Sequence, residues 1–135
     1  MMKKKTFMTK KGPNSVGPYS TAVIYGDTVY ISGMGPIDPE TNQVVEGTVV
    51  EEAHRAFQNV RIILEELGGS MEDALKVTLY LANMDDFATV NEIYKEYFGP
   101  DYPARTTIQA GKLPGGIQVE VDVIAAYRGK TNGEE

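Results

Sequence analysis

The stretch Thr21-Ala22-Val23-Ile24-Tyr25-Gly26-Asp27-Thr28-Val29-Tyr30-Ile31-Ser32 decides the fold. Two runs rich in β-branched and aromatic residues flank Gly26-Asp27, and a two-residue Gly-X loop is a strong hairpin signal. With that turn, Tyr25 stands opposite Thr28 and Thr21 opposite Ser32. Side chains alternate between the two faces of a strand. One face therefore carries Ala22, Ile24, Val29 and Ile31, which suits packing under helices. The other carries Thr21, Val23, Tyr25, Thr28, Tyr30 and Ser32, joined by Tyr19 if the pairing continues.

Outward from the hairpin, Gly33-Met34-Gly35-Pro36 and Asp38-Pro39-Glu40-Thr41-Asn42 are turns. A helix is expected over 49–67. Thr48 and Glu51 have capping-box spacing, and Val50, Ala53, Phe57, Val60, Leu64 and Leu67 fall on one helical face. Gly68-Gly69 ends it. Val77, Leu79 and Leu81, alternating with Thr78 and Tyr80, predict a strand over 75–81. Asp85 or Asp86 is expected to cap a second helix over 87–98, with Phe87, Val90, Tyr94 and Tyr97 as its apolar face. Two last strands are expected over 105–110 and 118–127, joined through Leu113-Pro114-Gly115-Gly116. Residues 1–18 and 128–135 are expected to fray or to lie on the surface.

Strand–helix–strand crossovers are right-handed in nearly all cases, so both helices should cover the same face of one mixed sheet. The expected class is α+β, in a single domain over 1–135. The opposite face then carries Val23, Tyr25, Tyr30, Tyr80 and Ile124 beside Ser32 and Glu120. Monomers rarely expose an apolar patch of that size. This face is therefore expected to pack against other copies of the chain, and clefts between subunits suit ligands.

Composition narrows the chemistry. Nineteen acidic residues against 13 basic ones give a net charge of −6, which argues against a broad nucleic-acid-binding surface. The chain has no Cys and one His, His54, which excludes disulfides, thiolate catalysis and Cys-based metal sites. Residues 1–8 hold lysines but no apolar signal segment, and no apolar run approaches the ~20 residues a membrane span needs. A cytoplasmic protein with no membrane contact is the expectation.

Among single residues, Arg105 in Tyr102-Pro103-Ala104-Arg105-Thr106-Thr107 is the sharpest candidate. A guanidinium at the start of a strand can grip a carboxylate bidentately, or it can form an ion pair with Glu120 or Asp122. Glu120 lies in a Val-rich strand, where a carboxylate must be paired, hydrogen-bonded or shifted in pKa. It could position a water, or it could simply partner Arg105 or face solvent. If Lys112 pairs with Ile117, the two share a face four positions apart; an odd-length loop would set them on opposite faces. Tyr19 and Ser32 could hydrogen-bond a ligand or serve as interface packing. His54 reads as a helix-flank residue, Glu51 with Arg55 as an i,i+4 pair, Glu65-Glu66 as solvent-facing charge, and Lys3-Lys4-Lys5 as a solvated terminus.

Pro103-Ala104-Arg105, Gly111-Lys112-Leu113 and Val119-Glu120-Val121 resemble the signature of the reactive intermediate deaminase family, also called the YjgF-type or Rid family. Gly17-Pro18-Tyr19-Ser20, Ser32-Gly33, Pro36-Ile37-Asp38-Pro39, Asn59-Val60 and Asp86-Phe87-Ala88-Thr89-Val90-Asn91 resemble its other habitual segments, in order, over 12–128. The resemblance implies a chorismate-mutase-like fold and a homotrimer with sites between subunits. It implies hydrolysis of 2-enamine and 2-imine acids, such as 2-iminobutanoate and 2-iminopropanoate, to 2-keto acids and ammonia, with no metal or cofactor. Carried over, Arg105 holds the substrate carboxylate and Glu120 positions the attacking water, while Tyr19, Ser32, Gly33, Asn91 and Thr107 line the pocket. Thr107 stands where many members of the deaminating branch carry Cys, and Met34 where Gln is usual, which bears on substrate range. A non-catalytic module that binds 2-keto acids through Arg105 is the alternative, and a ribonuclease or translation inhibitor is the next.

Overall fold

The computed structural model describes residues 2–129 and 131. The hairpin forms as expected: β2 (Ala22–Tyr25) pairs with β3 (Thr28–Met34), with Tyr25 opposite Thr28 and Ala22 opposite Ile31. Gly26 turns the chain at φ 63°, a left-handed value that Gly adopts without a Cβ penalty. Ala22, Ile24, Val29 and Ile31 are buried, whereas Tyr25 and Tyr30 are exposed. Thr21 departs from its exposed neighbours. It is buried beneath the N-terminal segment, where its Oγ1 accepts from Thr9 N at 3.0 Å.

Helix α1 (Val49–Glu66) begins with the capping box. Thr48 Oγ1 accepts from Glu51 N, and Glu51 Oε1 accepts from Thr48 N at 2.9 Å. Its expected stripe is buried except for Val50, which is exposed in the first turn. β4 (Ala74–Leu81), α2 (Phe87–Phe98), β5 (Ala104–Gln109) and β6 (Val119–Ala126) complete the expected elements. The buried stripe of α2 is Val90, Ile93, Tyr94 and Phe98, so it is rotated from the expected one; Phe87 is exposed and Tyr97 half-buried. Asp86 occupies the N-cap position of α2 without a side-chain hydrogen bond. A 3₁₀ turn, Met84–Asp86, precedes it and is capped by Asn83.

Among the described residues six strands, the first being β1 (Lys5–Phe7), form one sheet in the order β1-β2-β3-β6-β4-β5. Two features differ from expectation. β1 (Lys5–Phe7) adds an edge strand to β2, so the N-terminal segment does not fray throughout. Three residues are too few to show an alternation in sequence. Also, β5 does not form a hairpin with β6. β6 inserts between β3 and β4, antiparallel to both, and β5 pairs in parallel with β4 at the far edge. The α2 crossover returns the chain so that β5 can run parallel to β4. Val119, Val121 and Val123 of central β6 lie in the core under the helices, with Glu120, Asp122 and Ile124 on the opposite face.

Both helices close over the core, where the Phe57 ring meets Tyr94 and Phe98 edge-on at 5.7 and 5.6 Å. At the C-terminal end, Arg128 pairs with buried Asp73. The expectation of fraying for 130 and 132–135 concerns residues outside those described. Among the described residues, no helix is long and apolar enough to cross a membrane.

A candidate site divided between the two faces of the sheet

Register decides where Arg105 points. It pairs with Val77 and Thr107 pairs with Leu79, both buried beneath the helices. Glu120 pairs with Tyr80 on the other face. Arg105 and Glu120 therefore lie on opposite faces of one sheet, and the shared face drawn from a β5–β6 hairpin is corrected.

Glu120 belongs to a cavity of about 570 Å³ that also gathers Tyr19, Ser32 and Gly33. The β3–β6 pairing shifts register between Ile31 and Met34. Such a bulge re-aims side chains beside it. Ser32 Oγ donates to Ser20 O at 2.7 Å, which ties the bulge to the segment after Tyr19. The Glu120 carboxylate packs directly against Gly33, where a Cβ would displace it. Burial raises the Glu120 pKa above its ordinary value, and the Asp122 charge, two residues on along the same face, adds to the shift. Asp122 itself accepts from Tyr80 OH at 2.8 Å, a bond that raises the Tyr80 pKa. Met34 also lines the cavity, although its side chain is mostly buried in the core.

Arg105 belongs to a second hollow, of about 370 Å³, between α2 and the start of β5. Its Nη2 donates to Asn91 Oδ1 at 2.7 Å, and its Cζ lies 4.6 Å from the centre of the Tyr94 ring and 5.5 Å from that of Phe87. Aromatic faces attract a guanidinium and leave its N–H edge available. Among the described residues Arg105 forms no ion pair with a carboxylate, so the reading of it as a partner for Glu120 or Asp122 is set aside. Among the described residues Tyr94 OH is buried without a hydrogen-bond partner; burial pushes its pKa up to about 12, against the opposing pull of Arg105.

The structure thus sorts the sequence candidates into two groups. Tyr19, Ser32, Gly33 and Glu120 stand together and Asn91 with Arg105 forms the other group, while Thr107 shares the sheet face of Arg105 without lining its hollow. Sequence reasoning missed Tyr94 and Phe87 as supports of Arg105. Their spacing from Asn91, three residues on and four back, was the available signal. Other expectations need correction. Arg55 Nε donates to Asn59 Oδ1 rather than meeting Glu51, and Glu66 is buried rather than solvent-facing. His54 stays on the helix flank, its Nδ1 2.8 Å from Tyr97 OH. Among the described residues no group of three or more His, Asp or Glu is gathered to hold a metal ion.

Residues 9–127 match the family described as Endoribonuclease L-PSP. The chain belongs to this family, the YjgF-type family of the sequence resemblance. A RutC family protein of Pyrococcus abyssi is 43% identical over 92% of this chain and 98% of its own. The mouse protein named 2-iminobutanoate/2-iminopropanoate deaminase is 47% identical over 90% of each chain. Among solved structures, RidA from the Antarctic bacterium Psychrobacter sp. PAMC 21119 superposes with a TM-score of 0.86 at 41% identity, over 90% of this chain and 98% of that one. The chain, with its two helices and one mixed six-stranded sheet, shares its fold with solved structures of this family.

Proposed function

We propose that the chain hydrolyses 2-imino and 2-enamino acids, such as 2-iminobutanoate and 2-iminopropanoate, to 2-keto acids and ammonia. The site is completed by two copies of the chain within a homotrimer, which acts in the cytoplasm. One observation carries it: Arg105 is a cation fixed by Asn91 and Tyr94 with no carboxylate partner among the described residues. A guanidinium in that state fits the carboxylate common to all these substrates. The mammalian relatives named for this activity support the chemistry.

Arg105 and Glu120 cannot both reach one small acid within a single copy, because the sheet separates them. Docking the face that carries Tyr25 and Tyr30 onto a neighbour supplies Glu120 from one copy and Arg105 from the next. Arg105 then holds the carboxylate and leaves the imine carbon facing Glu120. The Glu120 carboxylate takes a proton from a water as the water oxygen bonds to that carbon and the C=N electron pair moves to nitrogen. The resulting carbinolamine receives that proton on nitrogen; its hydroxyl then gives a proton back to the Glu120 carboxylate as the C=O forms and the C–N bond breaks, and the departing ammonia carries the proton away as ammonium. The iminium carbon is already electrophilic, so orientation supplies most of what the reaction needs.

The test generates 2-iminobutanoate with a threonine dehydratase and traps what survives with semicarbazide. The wild-type chain lowers the trapped imine, and Arg105→Ala loses that effect by about 10²-fold or more. A folded wild type without effect sinks the deaminase. Binding of 2-ketobutanoate without turnover would then establish the carboxylate-binding module.

A further inference from the structure

Three of the buried polar residues stand in one line along α1. Glu52, Asn59 and Glu66 are spaced seven residues apart, two helical turns at each step, and all three are buried. Buried polar groups of this kind need partners, and each takes two or more of them from a different segment of irregular chain outside the helix. Glu52 accepts from Gln118 N and from Gln118 Nε2, both at 2.7 Å. Asn59 Nδ2 donates to Gly35 O at 3.0 Å and to Ile37 O at 2.8 Å, while its Oδ1 accepts from Arg55. Glu66 accepts from Thr9 Oγ1, from Lys10 N at 3.0 Å and from Lys11 N at 3.2 Å.

One of the three clamped segments lines the Glu120 cavity, and the other two adjoin its walls in the chain. Gln118 lies between the lining residues Ile117 and Glu120, Gly35 and Ile37 line it themselves, and Thr9–Lys11 lead into the lining loop that starts at Pro13. A stripe that served the core alone would be apolar, since well-packed hydrophobic groups at such places are often as stabilising. We propose that Glu52, Asn59 and Glu66 are positioning residues, a polar spine on α1 that sets these three segments around Glu120 from behind. The spine rests on the deaminase site proposed above.

The decisive variant is Asn59→Leu, read by amide hydrogen exchange, sizing and imine hydrolysis at a temperature where it is fully folded. The expected result is faster exchange at 35–37 without change at 9–12, the oligomer kept, and kcat lowered about 10-fold or more with KM little moved, because small misplacements of reacting groups cost rate. If Asn59→Leu does not fold, Asn59→Asp keeps the shape and the Arg55 contact while removing both donors, and it should give the same pattern. Glu66→Gln, whose oxygen can still accept from Lys10 N and Lys11 N while its amide N–H turns to Thr9 Oγ1, should stay near wild type, whereas Glu52→Leu should lower kcat as Asn59→Leu does. Unchanged kcat in the folded Leu variants, or losses that only track the unfolded fraction, overturn the spine. If the wild type hydrolyses no imine, the deaminase fails separately. The spine is then judged on 2-ketobutanoate affinity, where a roughly 10-fold weakening supports it and unchanged affinity overturns it.

Discussion

Arg105 and Glu120 carry different demands at the residue scale. Arg105 needs its planar fork as well as its charge, because Asn91 takes one N–H and the Tyr94 ring lies against the guanidinium. Arg105→Lys should therefore lose about 10-fold or more in kcat/KM despite keeping the charge, measured by the semicarbazide assay. Glu120 must be ionised to accept a proton, and its pKa is raised by burial and by Asp122. Activity should accordingly fall with acidification at a pH above the ordinary carboxylate value, since the base is lost as pH drops through the raised pKa. Asp122→Asn keeps an acceptor for Tyr80 and removes the charge, so it should move that acid limb to lower pH. An unmoved limb in the pH–rate profile would mean that Asp122 does not act on Glu120. Gly33→Ala should displace the Glu120 carboxylate and lower kcat, because the added Cβ lands on it.

Elements were legible where periodicity was long. The capping box at Thr48 and the 3,4 spacing from Ala53 to Leu67 placed α1 because packing enforces the same face that the sequence displays. Phe57 fills the junction of the two helices, so Phe57→Ala should cost about 3–5 kcal/mol, read by denaturant unfolding. The partner of β5 was not legible. Strand pairing is set by where the crossover helix α2 delivers the chain, and nothing in Ala104–Gln109 names its neighbour. That one uncertainty displaced the site, because one strand inserted elsewhere reverses which face Arg105 occupies. Likewise Glu66 read as surface charge beside Glu65, since its donors come from Thr9, Lys10 and Lys11, 55 to 57 residues away.

For the whole molecule, the same seven candidates that the sequence offered as one pocket stand as two groups, separated by the sheet. The exposed tyrosines Tyr25 and Tyr30 make that face a costly one to leave in water, and in the proposed assembly a neighbouring copy covers it. A site shared between copies makes a demand that no single-copy site makes. Arg105→Ala and Glu120→Gln each remove one half, and each should be inactive alone. The most direct measurement co-assembles the two variants in equal amounts and assays imine hydrolysis. In randomly mixed rings about one site in four draws an intact Arg105 from one copy and an intact Glu120 from the next, so activity should return to about a quarter of wild type. A mixed assembly that stays as inactive as its parents would contradict a site built from two copies.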